Sequence, residues 1–456
     1  MYFDTHAHLD LEPLCDAEGD VVRRAGEAGV SRIVTIGIHP ESCEKAVGIA
    51  HRHAGVYAAV GLHPHGASHL SESVLARLDE LSRCDKVVGI GETGLDFFRD
   101  RSPRDAQRAA FREQIRLARR RNLPVIVHDR IAHDEILSIL TEENAAEVGG
   151  IIHCFSGDYG MARKAIGMNF LISIPGAITY KGSEAQTEAV RKIPLENLLI
   201  ETDCPFLAPL PHRGKTNEPA YVPLVARKIA EIKGLAPEDV GRVTTLNALR
   251  IFRIPAEEEV RVSYRIRNSL YLNITNRCTN ACVFCAKRDD YYVKGHYLKL
   301  PGEPSTEEVV AEVGDPGQYD EIVFCGFGEP LLRLEEVKAI AKTLKAKGAK
   351  VRVNTDGLAN LVHGRNVLPE LAGLVDALSV SLNAPDAETY ARICPNRYGP
   401  ASFPAILDFL REAPRHVPSV VATAVALPGL DQDSVRRLAE SIDGVTFRLR
   451  PFAEVG

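Results

Sequence analysis

Tyr2-Phe3-Asp4-Thr5-His6-Ala7-His8 is a short apolar run that ends in two histidines, and this pattern returns down the first half of the chain. Further β-branched runs fall at Arg32–Gly37, Val56–Leu62, Val87–Gly91, Pro124–His128, Gly149–His153, Phe170–Ile174 and Asn197–Glu201. Each is apolar nearly throughout, as strands buried on both faces must be. Longer helical patterns separate them, and strand–helix alternation repeated about eight times over some 250 residues predicts a (β/α)8 barrel of the TIM type. Helical patterns at Glu218–Ile232 and Asp239–Phe252 close it.

Residues Ile254–Arg265 (IPAEEEVRVSYR) interrupt this rhythm with a proline and three consecutive glutamates, and are assigned as a linker. A second alternation follows, with strands expected at Ser269–Thr275, Glu321–Cys325, Lys350–Asn354, Ala377–Leu382, Ser419–Ala426 and Gly444–Arg450. Six strands in a stretch of this length suit a partial (β/α)6 barrel. The expected chain is thus α/β throughout, with one domain over 1–253, a linker over 254–265 and a second domain over 266–456.

A length of 456 residues agrees with more than one core. Hydrophobic and charged contents of 45% and 25% are those of a globular protein. No run of about eighteen apolar residues is present to span a membrane. The N-terminus lacks the basic and apolar segments of a secretory leader, so a cytoplasmic protein is expected. A net charge of −6 gives no global signature of nucleic-acid binding, which would have to come from a local patch. Ten cysteines are too sparse for a disulfide scaffold. Cys15, Cys43, Cys84, Cys154, Cys204, Cys325 and Cys394 are scattered, and most of them read best as small buried hydrophobes.

Chemistry in a (β/α)8 barrel sits at the C-terminal ends of the strands. Strand 1 ends in His6-Ala7-His8, whose spacing points both imidazoles to one side of an extended chain. Strand 4 ends in Gly91-Glu92-Thr93-Gly94-Leu95-Asp96, strand 5 at His128, strand 6 at His153 and strand 8 at Glu201-Thr202-Asp203. A lone histidine at a strand end is usually a satisfied structural residue. Five strand ends delivering four histidines and two acids to one rim point instead to two divalent ions, with Glu92 as the expected bridge. Zinc, manganese and magnesium are all compatible with that donor set. Two adjacent ions activate water and stabilise an in-line displacement, which describes a hydrolase. Asp203 is placed to bind one ion and to handle the proton of the attacking water. Phosphodiesters suit such a clamp, and esters and amides are compatible with it.

These residues resemble the TatD family of metal-dependent deoxyribonucleases, a branch of the amidohydrolase-like barrels. The resemblance rests on FDTHAHLD, GLHPH, GIGETGLDF, LPVIVHDR, IIHCFSG, ETDCPFLAP and PHRGKTNEP, and covers residues 1 to about 253. It implies metal ligation by His6, His8, Glu92, His128, His153 and Asp203, with catalysis by Asp203 and Glu92. His63, His65 and Arg130 match pocket positions where a scissile phosphate would lie. The implied activity is hydrolysis of nucleic acid, typically 3′–5′ exonucleolytic on DNA, although some members are linked to deacylation of mischarged tRNA. Arg99–Arg121 holds nine arginines, with Arg112, Arg116 and Arg119 at helical spacing. Either a phosphate-binding face or an ordinary solvated helix face explains them.

In the second domain, Cys278-x-x-x-Cys282-x-x-Cys285 directly follows an expected strand. Three thiolates hold three irons of a [4Fe–4S] cluster and leave the fourth iron open. A structural zinc site normally takes four ligands, and His296 is the nearest candidate for the fourth. Cys325-Gly326-Phe327-Gly328-Glu329-Pro330 ends the next strand with small residues and a carboxylate, suited to close approach of a ligand. Together these features resemble the radical S-adenosylmethionine superfamily over residues 266–456. The resemblance implies that Cys278, Cys282 and Cys285 bind the cluster, whose open iron chelates S-adenosylmethionine for reductive cleavage. It places Phe284 beside the adenine, and Gly328 with Glu329 at the methionine amino group. It also implies a reductant such as flavodoxin or ferredoxin. Asn354, Asp356, Ser381 and Asn383 end later strands as candidate cofactor or substrate contacts. Gly-Phe-Gly-Glu replaces the usual Gly-Gly-Glu, and Cys394 (RICPN) is expected to be structural rather than a reactive thiol.

The leading reading is a bifunctional enzyme acting on nucleic acid or a nucleotide-derived substrate. Two others stand beside it. In one the fusion serves shared expression or scaffolding and only the barrel is catalytic; in the other the barrel is a binding platform that presents substrate to the radical domain.

Overall fold

A computed structural model describes residues 1–256, 258–288 and 290–450. Glu257 of the expected linker, and 451–456 of the expected second domain, lie outside the described residues. The chain divides between Glu257 and Glu258 into two compact units. No helix among the described residues is long and apolar enough to cross a membrane.

In the first unit, β1 (Tyr2–Ala7), β2 (Val30–Gly37), β3 (Val56–Val60), β4 (Val87–Asp96), β5 (Val125–Arg130), β6 (Gly150–Ile152), β7 (Phe170–Ile174) and β8 (Leu198–Ile200) pair in sequence order, all parallel. The ring closes just past β8. Asp203 N donates to His6 O at 2.9 Å, and His8 N donates to Cys204 O at 2.8 Å. The buried Asp4 carboxylate accepts from Thr202 N at 2.9 Å and from the Thr202 hydroxyl, tying the same two strand ends by side chains. Phe3, Val34, Ala59 and Leu199 point inward and meet Leu249 and Phe252 from the last helix, Pro237–Ile251, and the turn after it. Burying one such aromatic or leucine contributes about 1.5–3 kcal/mol, so this plug stabilises one end of the barrel strongly. The outer helices bury one face each. Arg104–Arg121 buries Ala110, Phe111, Ile115 and Ala118 and turns its arginines outward.

Two strands carry irregularities where the functional residues fall. β1 holds one extra residue against β2 between Asp4 and Ala7, the stretch that contains His6. β4 does the same against β5 between Ile90 and Thr93, where Glu92 lies. Such bulges re-aim a side chain and recur beside active sites. β4 therefore continues to Asp96, beyond the end expected at Gly91.

The second unit is an open sheet in the order β17-β16-β15-β14-β13-β10-β9. Its parallel strands are β10 (Ser269–Leu272), β13 (Glu321–Phe324), β14 (Val351–Thr355), β15 (Ala377–Ser381), β16 (Ser419–Val425) and β17 (Val445–Arg450). These six correspond to the six expected strands. The edge strand β9 (Ser263–Ile266) runs antiparallel to β10. This corrects the linker expected over 254–265. Ile254 packs into the plug of the first unit, and Ser263–Ile266 already belongs to the second sheet. A short hairpin of β11 (Tyr292–Val293) and β12 (His296–Tyr297) is a separate two-stranded sheet, whose Val293 packs with Tyr264, Tyr271 and Val323 of the larger one.

Gly91 shows how tightly the bulge is held. Its φ is +146°, and a Cβ there would meet Ile126 O at 2.5 Å. Gly91→Ala should therefore lower the stability of the barrel by at least about 2 kcal/mol in calorimetry. An unchanged melting temperature would contradict this account of the bulge.

Candidate active sites

At the C-terminal end of the barrel, Glu92 is nearly fully buried among histidines. Its Oε1 lies 2.6 Å from His128 Nδ1, 3.1 Å from His153 Nε2 and 3.5 Å from His63 Nε2. Its Oε2 faces the other way, 3.4 Å from His6 Nε2 and 3.8 Å from His8 Nε2. Asp203 Oδ1 lies 3.5 Å from His8 Nε2 and 3.7 Å from His6 Nε2. Three groups bring their ligand atoms within 4.8 Å of one another: His6 with His8 and Asp203, His6 with His153 and Glu201, and His63 with Glu92 and His128. The expected residues His6, His8, Glu92, His128, His153 and Asp203 are thus all in one cluster.

Several ring nitrogens in that cluster are buried without hydrogen-bond partners: both of His6, Nε2 of His128 and Nδ1 of His153. Buried polar atoms are normally satisfied, so His6 Nε2, unpartnered and facing Glu92 and Asp203, fits a cation as its missing partner, whereas His128 Nε2 and His153 Nδ1 face Asp96 and Glu201.

The remaining atoms are held by supporting residues. His8 Nδ1 meets Ile36 O at 3.1 Å. Glu201 lies 3.3 Å from His153 Nδ1 and accepts from Cys154 N and the Ser173 hydroxyl, each at 2.6 Å. Asp96 holds His65 Nε2 at 2.8 Å and lies 3.3 Å from His128 Nε2. Glu201 and Asp96 stand in the quoted strand-end motifs, and the fold sets them against His153 and His128. The sequence signal for this lies in their spacing from Asp203 and Glu92. Arg130 is at the rim instead, with Cζ 4.2 Å over the exposed Phe98 ring. Phe206, 54% exposed, sets its ring edge-on to His8 at 6.2 Å.

The arginine-rich helix is largely engaged with acids. Arg108 pairs with Glu135, Arg112 and Arg116 with Glu143, Arg119 with Glu147 and Arg121 with Asp79. This favours the solvated helix face over a row of guanidinium groups offered to phosphates.

Electrostatics divides the histidines. Burial pushes His63 down to about 4, leaving it neutral at physiological pH. Burial also disfavours a charge on His8, but the hydrogen bond and charge of Asp203, with Glu92, outweigh it and raise His8 to about 8. Asp203 is held below the ordinary carboxylate range. Burial opposes this, and the His8 hydrogen bond with the charges of His153 and His6 prevails.

In the second unit the three cysteines occupy the loop after β10 as free thiols. The loop after β13 lies directly against their approach. A Cβ on Gly328 would sit 2.2 Å from Thr275 O and 2.6 Å from Arg277 O, and Glu329 N donates to Arg277 O at 2.8 Å. Both oxygens of the buried Glu329 are engaged, Oε1 by Leu331 N and the Thr355 hydroxyl at 2.9 Å each, and Oε2 by Asp356 N at 2.6 Å. Asp356 in turn accepts from the Thr279 hydroxyl and from Leu358 N. Phe284 packs half-buried against the core of the unit. Asn354 is bonded to Arg352, and Asn383 lies with Nδ2 3.7 Å from Cys394 Sγ. His296 Nε2 lies 3.1 Å from Arg265 O, a partner that competes with service as a fourth zinc ligand. Three free thiols beside a glycine-lined loop fit a cluster with an open iron better than a four-ligand zinc site.

Residues 3–253 match the family model for TatD related DNase, and residues 272–442 match that of the Radical SAM superfamily. The uncharacterized metal-dependent hydrolase YabD of Bacillus subtilis is 47% identical over 254 residues, spanning 56% of this chain and 100% of that protein. The 3′-5′ ssDNA/RNA exonuclease TatD of Erwinia billingiae is 34% identical over 261 residues, spanning 56% and 100% respectively. The solved structure of the TatD homologue YJJV from Escherichia coli matches with a TM-score of 0.54 at 31% identity, covering 56% of this chain and 98% of that one. Barrel, strand-end histidines and relatives together define a metal-dependent hydrolase. The chain belongs to the TatD related DNase family, and it carries a radical S-adenosylmethionine domain C-terminal to the barrel in sequence.

The charge state of His8 is directly testable. In chelator-treated protein His8 should titrate near pH 8 by NMR, above its unfolded value of 6.5. Its stabilising contribution is then complete below pH 6.5 and is lost as pH rises through about 8. Asp203→Asn should bring the midpoint down. A midpoint unmoved by that substitution would contradict the pairing.

Proposed function

We propose that the barrel is a two-metal phosphodiesterase acting on single-stranded nucleic acid, and that the second domain is a radical enzyme initiated by cleavage of S-adenosylmethionine. The observation that carries the first part is the Glu92 carboxylate, whose two oxygens face two different groups of histidines. Its place between them is that of a bridging ligand. His6, His8 and Asp203 would hold one divalent ion, His128 and His153 the other, and Glu92 both. Bound ions of this kind supply Lewis-acid charge and activation of water.

The protein's own groups do the rest. Asp203, ionised at neutral pH, accepts the proton of the attacking water through a carboxylate oxygen. His63 and His65, fixed by Glu92 and Asp96, line the wall where a phosphate would rest. Arg130 carries a positive charge at the rim. Exposed Phe98 and Phe206 offer flat faces on which unpaired bases stack, a mode tolerant of sequence and restricted to unpaired strands. The name of the Erwinia billingiae relative, a 3′-5′ ssDNA/RNA exonuclease, supports the same substrate class.

Hydrolysis of an end-labelled single-stranded oligonucleotide with magnesium, manganese or zinc tests this reading. Asp203→Asn and Glu92→Gln should each lower kcat by at least about 10²-fold. Phe206→Ala should raise KM for the oligonucleotide and leave turnover of a small chromogenic phosphodiester unchanged. Full activity in Asp203→Asn would overturn the assignment.

For the second domain, Cys278, Cys282 and Cys285 would hold the [4Fe–4S] cluster, which when bound and reduced supplies the electron that splits S-adenosylmethionine. Flavodoxin or ferredoxin would serve as reductant. Gly328 lets the loop after β13 pack on the backbone of Thr275 and Arg277, just ahead of Cys278, and Phe284 would flank the cofactor. Glu329, with its oxygens engaged by three donors, fixes the end of β14 and presents Asp356. After anaerobic reconstitution, Cys285→Ala should lose the brown absorbance and the release of 5′-deoxyadenosine. Retention of both would exclude Cys285 as a ligand.

A further inference from the structure

Cys394 is far from the cysteine motif in sequence, yet the fold sets it directly across from Cys282. Ala281 N donates to Pro395 O at 2.8 Å and Val283 N donates to Ile393 O at 2.9 Å. Asn280 and Asn396 form an antiparallel bridge in the same register. That register places Cys282 opposite Cys394 at a position whose backbone groups point away from the partner. Such non-hydrogen-bonded pairs bring Cα atoms to about 4.5 Å, inside the range of about 4.4–6.8 Å that a disulfide spans.

Side chains agree with the backbone. Cys282 packs against the core cluster that contains Cys394, whose side chain together with burial pushes the Cys282 thiol well above its ordinary range. Both are free thiols in this structure. Cys394 is fully buried at the end of the helix Ala387–Ile393, while Cys282 is only partly buried and open to a small reagent. The Cys282 segment is pinned to the same helix by Asn280 Nδ2, which donates to the Tyr390 hydroxyl at 3.0 Å.

We propose that Cys282 and Cys394 form a cross-strand disulfide in the cluster-free chain, and that this modification withholds a cluster ligand until it is reduced. The second clause rests on the reading of Cys282 as a cluster ligand. Two S–H bonds break and one S–S bond forms, releasing two protons and two electrons. A small disulfide or an azo oxidant takes up both, and two equivalents of a reducing thiol return the pair to its starting state. A cluster bound through Cys282 would protect that thiol from the same oxidant.

The test uses the full chain, reduced and freed of iron under anaerobic conditions, then treated with diamide and alkylated. Mass spectrometry of a non-reduced digest should show a Cys282–Cys394 cross-link, and Cys394→Ser should lack it. The oxidised wild type should take up iron and sulfide only after dithiothreitol treatment, whereas oxidised Cys394→Ser should load without it. A wild-type digest in which Cys282 pairs with Cys278 or Cys285, or remains alkylated, overturns the disulfide. Iron uptake by the cross-linked chain without reductant overturns the gate. Failure of the reduced wild type to take up iron overturns the cluster reading instead, and the digest still reports the cross-link.

Discussion

One buried carboxylate organises the first unit. Glu92 has lost almost all its contact with water, and an ionised group in that position is costly unless charges and donors surround it. Four histidines at or just past the C-terminal ends of β1, β5 and β6, and a fifth from the loop after β3, converge on its two oxygens. The extra residue in β4 lies at this point of the barrel. Bulge, glycine and carboxylate form one device, in which backbone geometry sets the direction of a charge.

The rest of the site follows from keeping those imidazoles in place. Glu201 and Asp96 stand behind His153 and His128, and the Ile36 carbonyl stands behind His8. Outer partners of this kind choose which ring nitrogen is free to bind and fix the ring's orientation. The junction of β1 with the end of β8 brings His6, His8 and Asp203 together, because the same backbone hydrogen bonds that close the ring also position Asp203. Closure of the fold and assembly of the site are therefore one event.

Much of this was legible in the sequence, for physical reasons. Buried parallel strands need unbroken apolar runs, so all eight barrel strands and all six parallel strands of the second sheet showed themselves. Their C-terminal ends then exposed the histidines and acids. What stayed hidden depends on pairing between distant segments. The bulges in β1 and β4 leave no compositional mark. β9 was masked by the charged run before it, since an edge strand with one exposed face need not be apolar throughout. Glu201 sits in the same motif as Asp203, and only its burial against His153 separates their roles. Cys394 looked like an isolated small hydrophobe because its register with Cys282 is set by tertiary hydrogen bonds.

The proposed two-metal hydrolase requires Glu92 to join two ions. Titration of the metal-free chain with manganese, followed by electron paramagnetic resonance, tests this directly. An exchange-coupled dinuclear signal that is lost in Glu92→Gln is the predicted result. Binding of isolated, uncoupled manganese in the wild type, or a coupled signal that survives in Glu92→Gln, would contradict it.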